Sequence, residues 1–173
     1  MDLKKYIRNI PDFPKKGIIF RDITTLIKDD RAFSYVIDTL HERYRTEKIK
    51  LVAGIESRGF IFGGALAYAL GVGFVPIRKK GKLPAETISE TYSLEYGTDT
   101  LEIHKDAIQK GDRVLLVDDL IATGGSLLAA SNLIEKLGGQ VIEVAVVIEL
   151  VDLGGRDKIA PRKLFSLVQF EGA

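Results

Sequence analysis

Cysteine is absent from the 173 residues, and histidine occurs only at His41 and His104. These scarcities exclude disulfides, thiolate metal sites, cysteine nucleophiles and any multi-histidine zinc site. A metal, if the chemistry uses one, must arrive with a ligand. An excess of one charge is missing too: 25 Lys and Arg face 24 Asp and Glu, a formal net charge of +1. No global field marks the chain for nucleic acid or an anionic membrane, so any phosphate binding must be local. The first residues, MDLKKYIRNIPDFP, are charged at Asp2, Lys4, Lys5 and Arg8, and they carry no apolar stretch long enough for a signal peptide. A cytoplasmic location is therefore expected. One uncharged run, Gly59 to Ile77, spans 19 residues with a Gly59-x-x-x-Gly63 pair and meets the loose criterion for a membrane helix. Gly71, Gly73 and Pro76 punctuate it, so it divides better into a buried helix from Gly59 to Leu70 and a strand from Gly73 to Ile77.

Hydrophobic residues make up 46% and charged residues 28% of the chain, the balance of a globular protein with one domain and a substantial core. Leu3, Tyr6, Ile7 and Ile10 are spaced for one face of a short helix ended by Pro11 and Pro14. Phe33, Val36, Ile37, Leu40 and Tyr44 recur at helical period within Arg31 to Thr46, and a continuous apolar strand, Leu51 to Ile55, follows. Beyond the split run, Arg78 to Ser89 reads as an exposed basic loop. Tyr92 to Ile103 alternates around Gly97-Thr98-Asp99 like a hairpin. Val114 to Val117 is a buried strand, Gly124 to Leu137 a helix with Gly138-Gly139 just past its end, and Val141 to Ile148 another buried strand. Near-continuous Val, Ile and Leu strands alternating with helices imply an α/β fold, a mostly parallel twisted sheet with helices on both faces. Ligands of such sheets sit at the carboxyl ends of the strands.

The chemistry concentrates in Val114-Leu-Leu-Val-Asp-Asp-Leu-Ile-Ala-Thr-Gly-Gly-Ser126. Thr123, Gly124, Gly125 and Ser126 offer hydroxyls and backbone N–H groups at a helix N-terminus, where unsatisfied donors and the helix dipole favour phosphate. On its own this loop is equally a plain strand-to-helix turn with a capping hydroxyl. Asp118 and Asp119 would repel a bare polyphosphate, so they should face neutral hydroxyls or a cation, and a ribose diol meets that requirement. Neither a Walker loop nor a dinucleotide-binding glycine fingerprint is present.

These thirteen residues resemble the phosphoribosyl pyrophosphate (PRPP) motif of the type I phosphoribosyltransferases. The resemblance extends to the adenine-specific branch through Pro11-Asp-Phe-Pro14, Gly17-Ile-Ile-Phe-Arg-Asp-Ile23, Glu56-Ser-Arg-Gly-Phe60, Arg78-Lys-Lys-Gly-Lys-Leu-Pro84 and Leu94-Glu-Tyr-Gly97. It implies transfer of ribose 5-phosphate from PRPP to N9 of adenine, giving AMP and pyrophosphate in purine salvage, with Mg²⁺ bound through PRPP and not directly by the chain. By that resemblance Ala122 to Ser126 hold the 5′-phosphate, and Asp118 and Asp119 accept the ribose hydroxyls. Glu56, Ser57, Arg58, Lys79 and Lys82 surround pyrophosphate, with a cis Glu56–Ser57 peptide. Glu95 handles the proton at N7 of adenine, Tyr96 helps close a lid and Gly97 acts as its hinge. Ile19 and Leu150 sandwich the base, while backbone groups of Phe20 and Arg21 read its amino edge. A hood and base-specificity segment over about residues 1–28, a flexible loop over about 80–103 and a homodimer are also implied. Outside the resemblance, Ile19 and Phe20 are simply core, Leu150 ends a buried strand, and Arg58, Glu95 and the basic loop are solvated. A PRPP-sensing regulator without catalysis and a transferase for hypoxanthine, guanine or xanthine share the central motif. Retained Glu95 and Arg58 argue against the first, and the Phe20-Arg21-Asp22 and Leu94-Glu95-Tyr96 segments against the second.

Overall fold

The computed structural model describes residues 1–172. It contains, in chain order, strands β1 (Arg8–Pro11) and β2 (Ile19–Asp22), helices α1 (Thr24–Lys28) and α2 (Asp30–Tyr44), β3 (Leu51–Ile55), α3 (Arg58–Leu70) and β4 (Gly73–Lys79). Then follow β5 (Thr87–Ser93), β6 (Thr98–His104), β7 (Arg113–Ile121), α4 (Gly125–Lys136), β8 (Gln140–Leu150), α5 (Gly155–Ile159) and β9 (Leu164–Phe170). Seven strands form one sheet in the order β5-β6-β4-β3-β7-β8-β9, while β1 and β2 pair separately. The pairs β4–β3, β3–β7, β7–β8 and β8–β9 are parallel; β6 runs antiparallel to β4, and β5 to β6.

The two-residue period of a strand places the core. Along β7, Leu115 and Val117 enter one apolar cluster with Val52, Ala145, Phe62 and Leu66, beneath α2 and α3. Val114 and Leu116 point the other way, into a second cluster with Ala53, Ile77, Val146, Leu127 and Leu133, beneath α4. Both faces of the parallel sheet are thus covered, as the continuous apolar strands require. Asp29 caps α2, its carboxylate accepting the Ala32 N–H at 2.8 Å. Gly71 ends α3 in the left-handed region at φ 69°, with the Val72 N–H bonded to the Ala67 carbonyl. That cap divides the uncharged run into a 13-residue helix and β4. No helix among the described residues is long and apolar enough to cross a membrane.

Three expectations need correction. The N-terminal segment is a single 3-10 turn, Leu3–Tyr6, followed by β1, and Ile10 pairs with Phe20 instead of extending a helix. A pairing partner ten residues downstream overrides the helical spacing of four apolar side chains. Arg78 and Lys79 are not loop: they continue β4 because Glu102 and Leu101 of β6 pair with them. The polar Thr87–Ser93 segment likewise forms β5, paired along its length with β6. The last strand, β9, and the short α5 before it were not anticipated from the sequence.

Candidate active site

The carboxyl ends of β3, β4 and β7 open into one cavity of about 960 Å³. Parallel pairing brings these ends to one sheet edge, and each delivers its residues from the same side. β3 supplies Ile55 and then Glu56, Ser57 and Arg58, β4 supplies Lys79, and β7 supplies Asp118 and Asp119 before the loop from Ala122 to Ser126. Lys82, Glu95, Tyr92, Ser93 and Lys158 also line the space. The structure therefore gathers the predicted phosphate loop, acid pair, pyrophosphate residues and Glu95 around one cavity.

The close quarters are made by glycines. A Cβ on Gly59, in the first turn of α3, would lie 2.9 Å from Asp118 Oδ1 and 3.1 Å from the Val117 carbonyl, so only glycine lets α3 start against the acid pair. Gly124 adopts φ 87°, turning the chain from β7 into α4 and leaving the helix N-terminus facing the cavity. The Glu56–Ser57 peptide is cis, as the resemblance implied.

Arg58, Lys79 and Lys82 are each paired with a carboxylate. Asp119 Oδ2 accepts the Arg58 Nε–H at 2.6 Å, and Asp118 Oδ1 accepts the Asp119 N–H at 2.9 Å. Burial, reinforced by the neighbouring Asp119, holds the Asp118 carboxyl well above the ordinary aspartate range. Glu56 accepts the Lys79 N–H at 2.6 Å and Lys82 Nζ at 2.9 Å, and Arg78 Nε lies 3.5 Å away. Burial pushes Glu56 upward, but these cations and the amide outweigh it and leave the carboxyl below its usual range. Lys79 Nζ is paired with Asp99, whose carboxylate also receives the Tyr92 hydroxyl at 3.4 Å. Among the described residues no three His, Cys, Asp or Glu side chains cluster as a metal site, and the acid pair offers only two carboxylates at the cavity wall.

The residues predicted for the base lie elsewhere. Ile19, Phe20, Arg21 and Leu150 are not part of this cavity's lining. Phe20 adjoins it through the Arg58 guanidinium, 5.7 Å from the ring centre, and packs edge-on against Phe13 at 5.2 Å. Arg21 donates to Asn9 Oδ1 at 2.7 Å and lies over the Phe170 ring at 4.3 Å, with its Nε buried and unpartnered. Leu150 is buried at the end of β8. Tyr96 is 81% exposed at the tip of the β5–β6 turn. His41 and His104, read as surface residues, are each half-buried, and His104 Nε2 accepts the Ala85 N–H at 3.3 Å.

Sequence reasoning missed Lys158, Tyr92, Ser93 and Asp99. Lys158 arrives on α5, which docks against the phosphate loop: a Cβ on Gly155 would lie 2.5 Å from the Ala122 carbonyl. The Gly154-Gly155 pair after an apolar strand was the available signal for that close approach.

A parallel sheet with an acid pair, a glycine loop at a helix N-terminus and a basic rim defines a sugar-phosphate transferase site. The family model for the phosphoribosyl transferase domain matches residues 24–171, and the chain belongs to that family. A curated relative from Chloroflexus aurantiacus, named adenine phosphoribosyltransferase, is 63% identical over 98% of both chains. The crystal structure of adenine phosphoribosyltransferase from Thermoanaerobacter pseudethanolicus is 55% identical, with a TM-score of 0.94 over 98% of each chain. The Saccharomyces cerevisiae enzyme, crystallised with an imino-altritol bisphosphate and adenine, is 46% identical, with a TM-score of 0.91 over 96% of this chain and 97% of that one.

Proposed function

We infer that this chain is an adenine phosphoribosyltransferase, moving the 5-phosphoribosyl group of PRPP to N9 of adenine and releasing pyrophosphate and AMP. The observation that carries this reading is the single cavity in which the acid pair, the phosphate loop and the basic rim meet. The α4 N-terminus and the Thr123 and Ser126 hydroxyls take the 5′-phosphate. Asp118 and Asp119 accept the ribose hydroxyls and lie where positive charge develops at C1′, so their attraction strengthens as the glycosidic bond breaks. Arg58, Lys79 and Lys82 take the departing pyrophosphate. These three would share the pyrophosphate charge with Mg²⁺ bound through PRPP, which would neutralise part of it.

Adenine lies beyond Arg58, against Phe20, between Ile19 and Leu150, with its amino edge read by backbone groups of Phe20 and Arg21. Glu95 accepts the N7 proton as N9 attacks, so that the purine of AMP is left neutral. The β5–β6 hairpin is the lid, with Tyr96 at its tip and Gly97, at φ 82°, as its hinge, and it excludes water from the oxocarbenium-like centre. The segment over about residues 1–28 is the base-specificity hood. The protein acts in the cytoplasm as a homodimer, a reading favoured by the apolar Ile61 and Tyr68 exposed on α3. Pyrophosphate release from PRPP and Mg²⁺ with adenine, hypoxanthine, guanine, xanthine or orotate tests the activity. Release with adenine alone is expected. Release with another base refutes the reading of Ile19 to Arg21, and binding of PRPP with no release from any base refutes the enzyme.

A further inference from the structure

We propose that Lys15 is a positioning residue for this reaction: from the β1–β2 hairpin its ammonium holds the β5–β6 turn so that Glu95 stands at the cavity. The proposal rests on the reading of Glu95 above. Lys15 Nζ lies 3.3 Å from Glu95 Oε2 and 5.3 Å from the centre of the Tyr96 ring. One cation thus meets a carboxylate and a π face on consecutive residues of the turn.

The two partners differ in how firmly each is held. The loop that presents Lys15 is internally built. The Lys15 carbonyl accepts the Ile18 N–H at 3.2 Å, the Ile18 carbonyl accepts the Phe13 N–H at 3.2 Å, and Asp12 Oδ1 accepts the Gly17 N–H at 2.8 Å. Phe13, on the same loop, is anchored edge-on to Phe20. The β5–β6 turn is closed by the Leu94 N–H bonded to the Gly97 carbonyl at 2.9 Å, and it leaves Leu94 48% and Tyr96 81% exposed. A turn with so little buried surface draws scant support from the core, so its position responds to contacts at its tip. The two hairpins belong to different sheets. Lys15 therefore bridges the strand that carries Ile19 to Arg21 and the turn that carries Glu95.

Both members of the ion pair are more than half exposed, so the attraction is modest and screened by salt. Lys15 biases the position of Glu95 and does not lock it. Its effect belongs to the binding and attack of adenine, because neither the phosphate loop nor the acid pair touches it.

The test is steady-state kinetics of Lys15→Met, Lys15→Arg, Glu95→Gln and the Lys15→Met/Glu95→Gln double variant, at low salt and in about 1 M KCl, where the screening length is ~3 Å. Lys15→Met is expected to lower kcat/KM for adenine about fivefold with the PRPP KM unchanged, and Lys15→Arg to restore it. The wild-type to Lys15→Met ratio should approach one at high salt, and the loss should shrink in the Glu95→Gln background. Wild-type constants for Lys15→Met, a salt-independent ratio or an undiminished loss beside Glu95→Gln each overturn the proposal. If Glu95→Gln alone is impaired while Lys15→Met is not, only the Lys15 proposal fails; if Glu95→Gln behaves as wild type, the Glu95 reading fails first and takes this one with it.

Discussion

Alanine at position 155 presses a methyl group into the phosphate loop from behind. The ideal Cβ would sit 2.5 Å from the Ala122 carbonyl oxygen and 2.7 Å from Ile121 Cγ1, where ordinary contact begins at 3.4 Å. Relief therefore demands a movement of about 0.9 Å, between a backbone carbonyl and a helix start that are both short of room. Overpacking of this kind costs about 1–3 kcal/mol. Ala122 is the residue from which the loop reaches Gly124 and Gly125, so a displacement approaching 1 Å also misplaces the phosphate donors, with an effect of up to ~100-fold on productive binding. The assay is the PRPP KM of Gly155→Ala at saturating adenine, read beside thermal unfolding. Gly154→Ala is the control: Gly154 is at φ 72° with nothing within 4 Å of its Cβ, so that variant should lose about 1–2 kcal/mol and keep the wild-type KM. A destabilised Gly155→Ala with an unchanged PRPP KM refutes the idea that α5 sets the phosphate loop.

Asp118→Asn should reduce kcat about 100-fold at saturating PRPP, since it removes charge from beneath the reacting sugar; near-normal turnover would refute the electrostatic role. The same variant should unfold at a higher temperature than the wild type at neutral pH. Burial and Asp119 raise the Asp118 pKa in the folded state, so the native protein holds this proton more tightly and its ionisation costs stability as pH rises above the ordinary carboxylate range. The gain should vanish in acid, and an equal gain at all pH values would contradict it. Glu149→Gln tests the opposite sign. Burial raises the Glu149 pKa, but Arg156, Ser166 and Gln169 outweigh it and leave it lowered. Its contribution is present above the unfolded value of about 4.3 and is lost as pH falls through the folded one. The variant should lose about 1–3 kcal/mol at pH 7 and show a shallower acid-side slope in urea unfolding.

The sequence reported most clearly where the signal is local. Leu51 to Ile55 carries five apolar residues between polar neighbours, and β3 has those bounds. Gly71 and Gly138 announce helix ends because their left-handed φ values, 69° and 92°, favour glycine. The acid pair and glycine loop are contiguous, so their placement on one strand end was legible. What was hidden depends on distant pairing. The helical spacing of Leu3 to Ile10 is real, but Arg8 to Pro11 finds partners in Ile19 to Asp22, and no single-segment pattern reveals that competition. Arg78 and Lys79 look like a solvated basic loop until β6 pairs with them. Lys158 became visible only through the backbone contact of Gly155, and the Asp99 partner of Lys79 through the β5–β6 hairpin that returns it to the cavity.

Three cations of the rim already have anionic companions: Arg58 has Asp119, Lys79 has Asp99 and Lys82 has Glu56. An arriving diphosphate thus enters a partner exchange and does not meet bare positive charge. PRPP brings a diphosphate, a diol and a second phosphate together, one for each of the basic rim, the acid pair and the loop at the start of α4. The paired rim keeps the cavity near charge balance before a ligand arrives, and part of the attraction for a diphosphate is offset by the carboxylates it displaces.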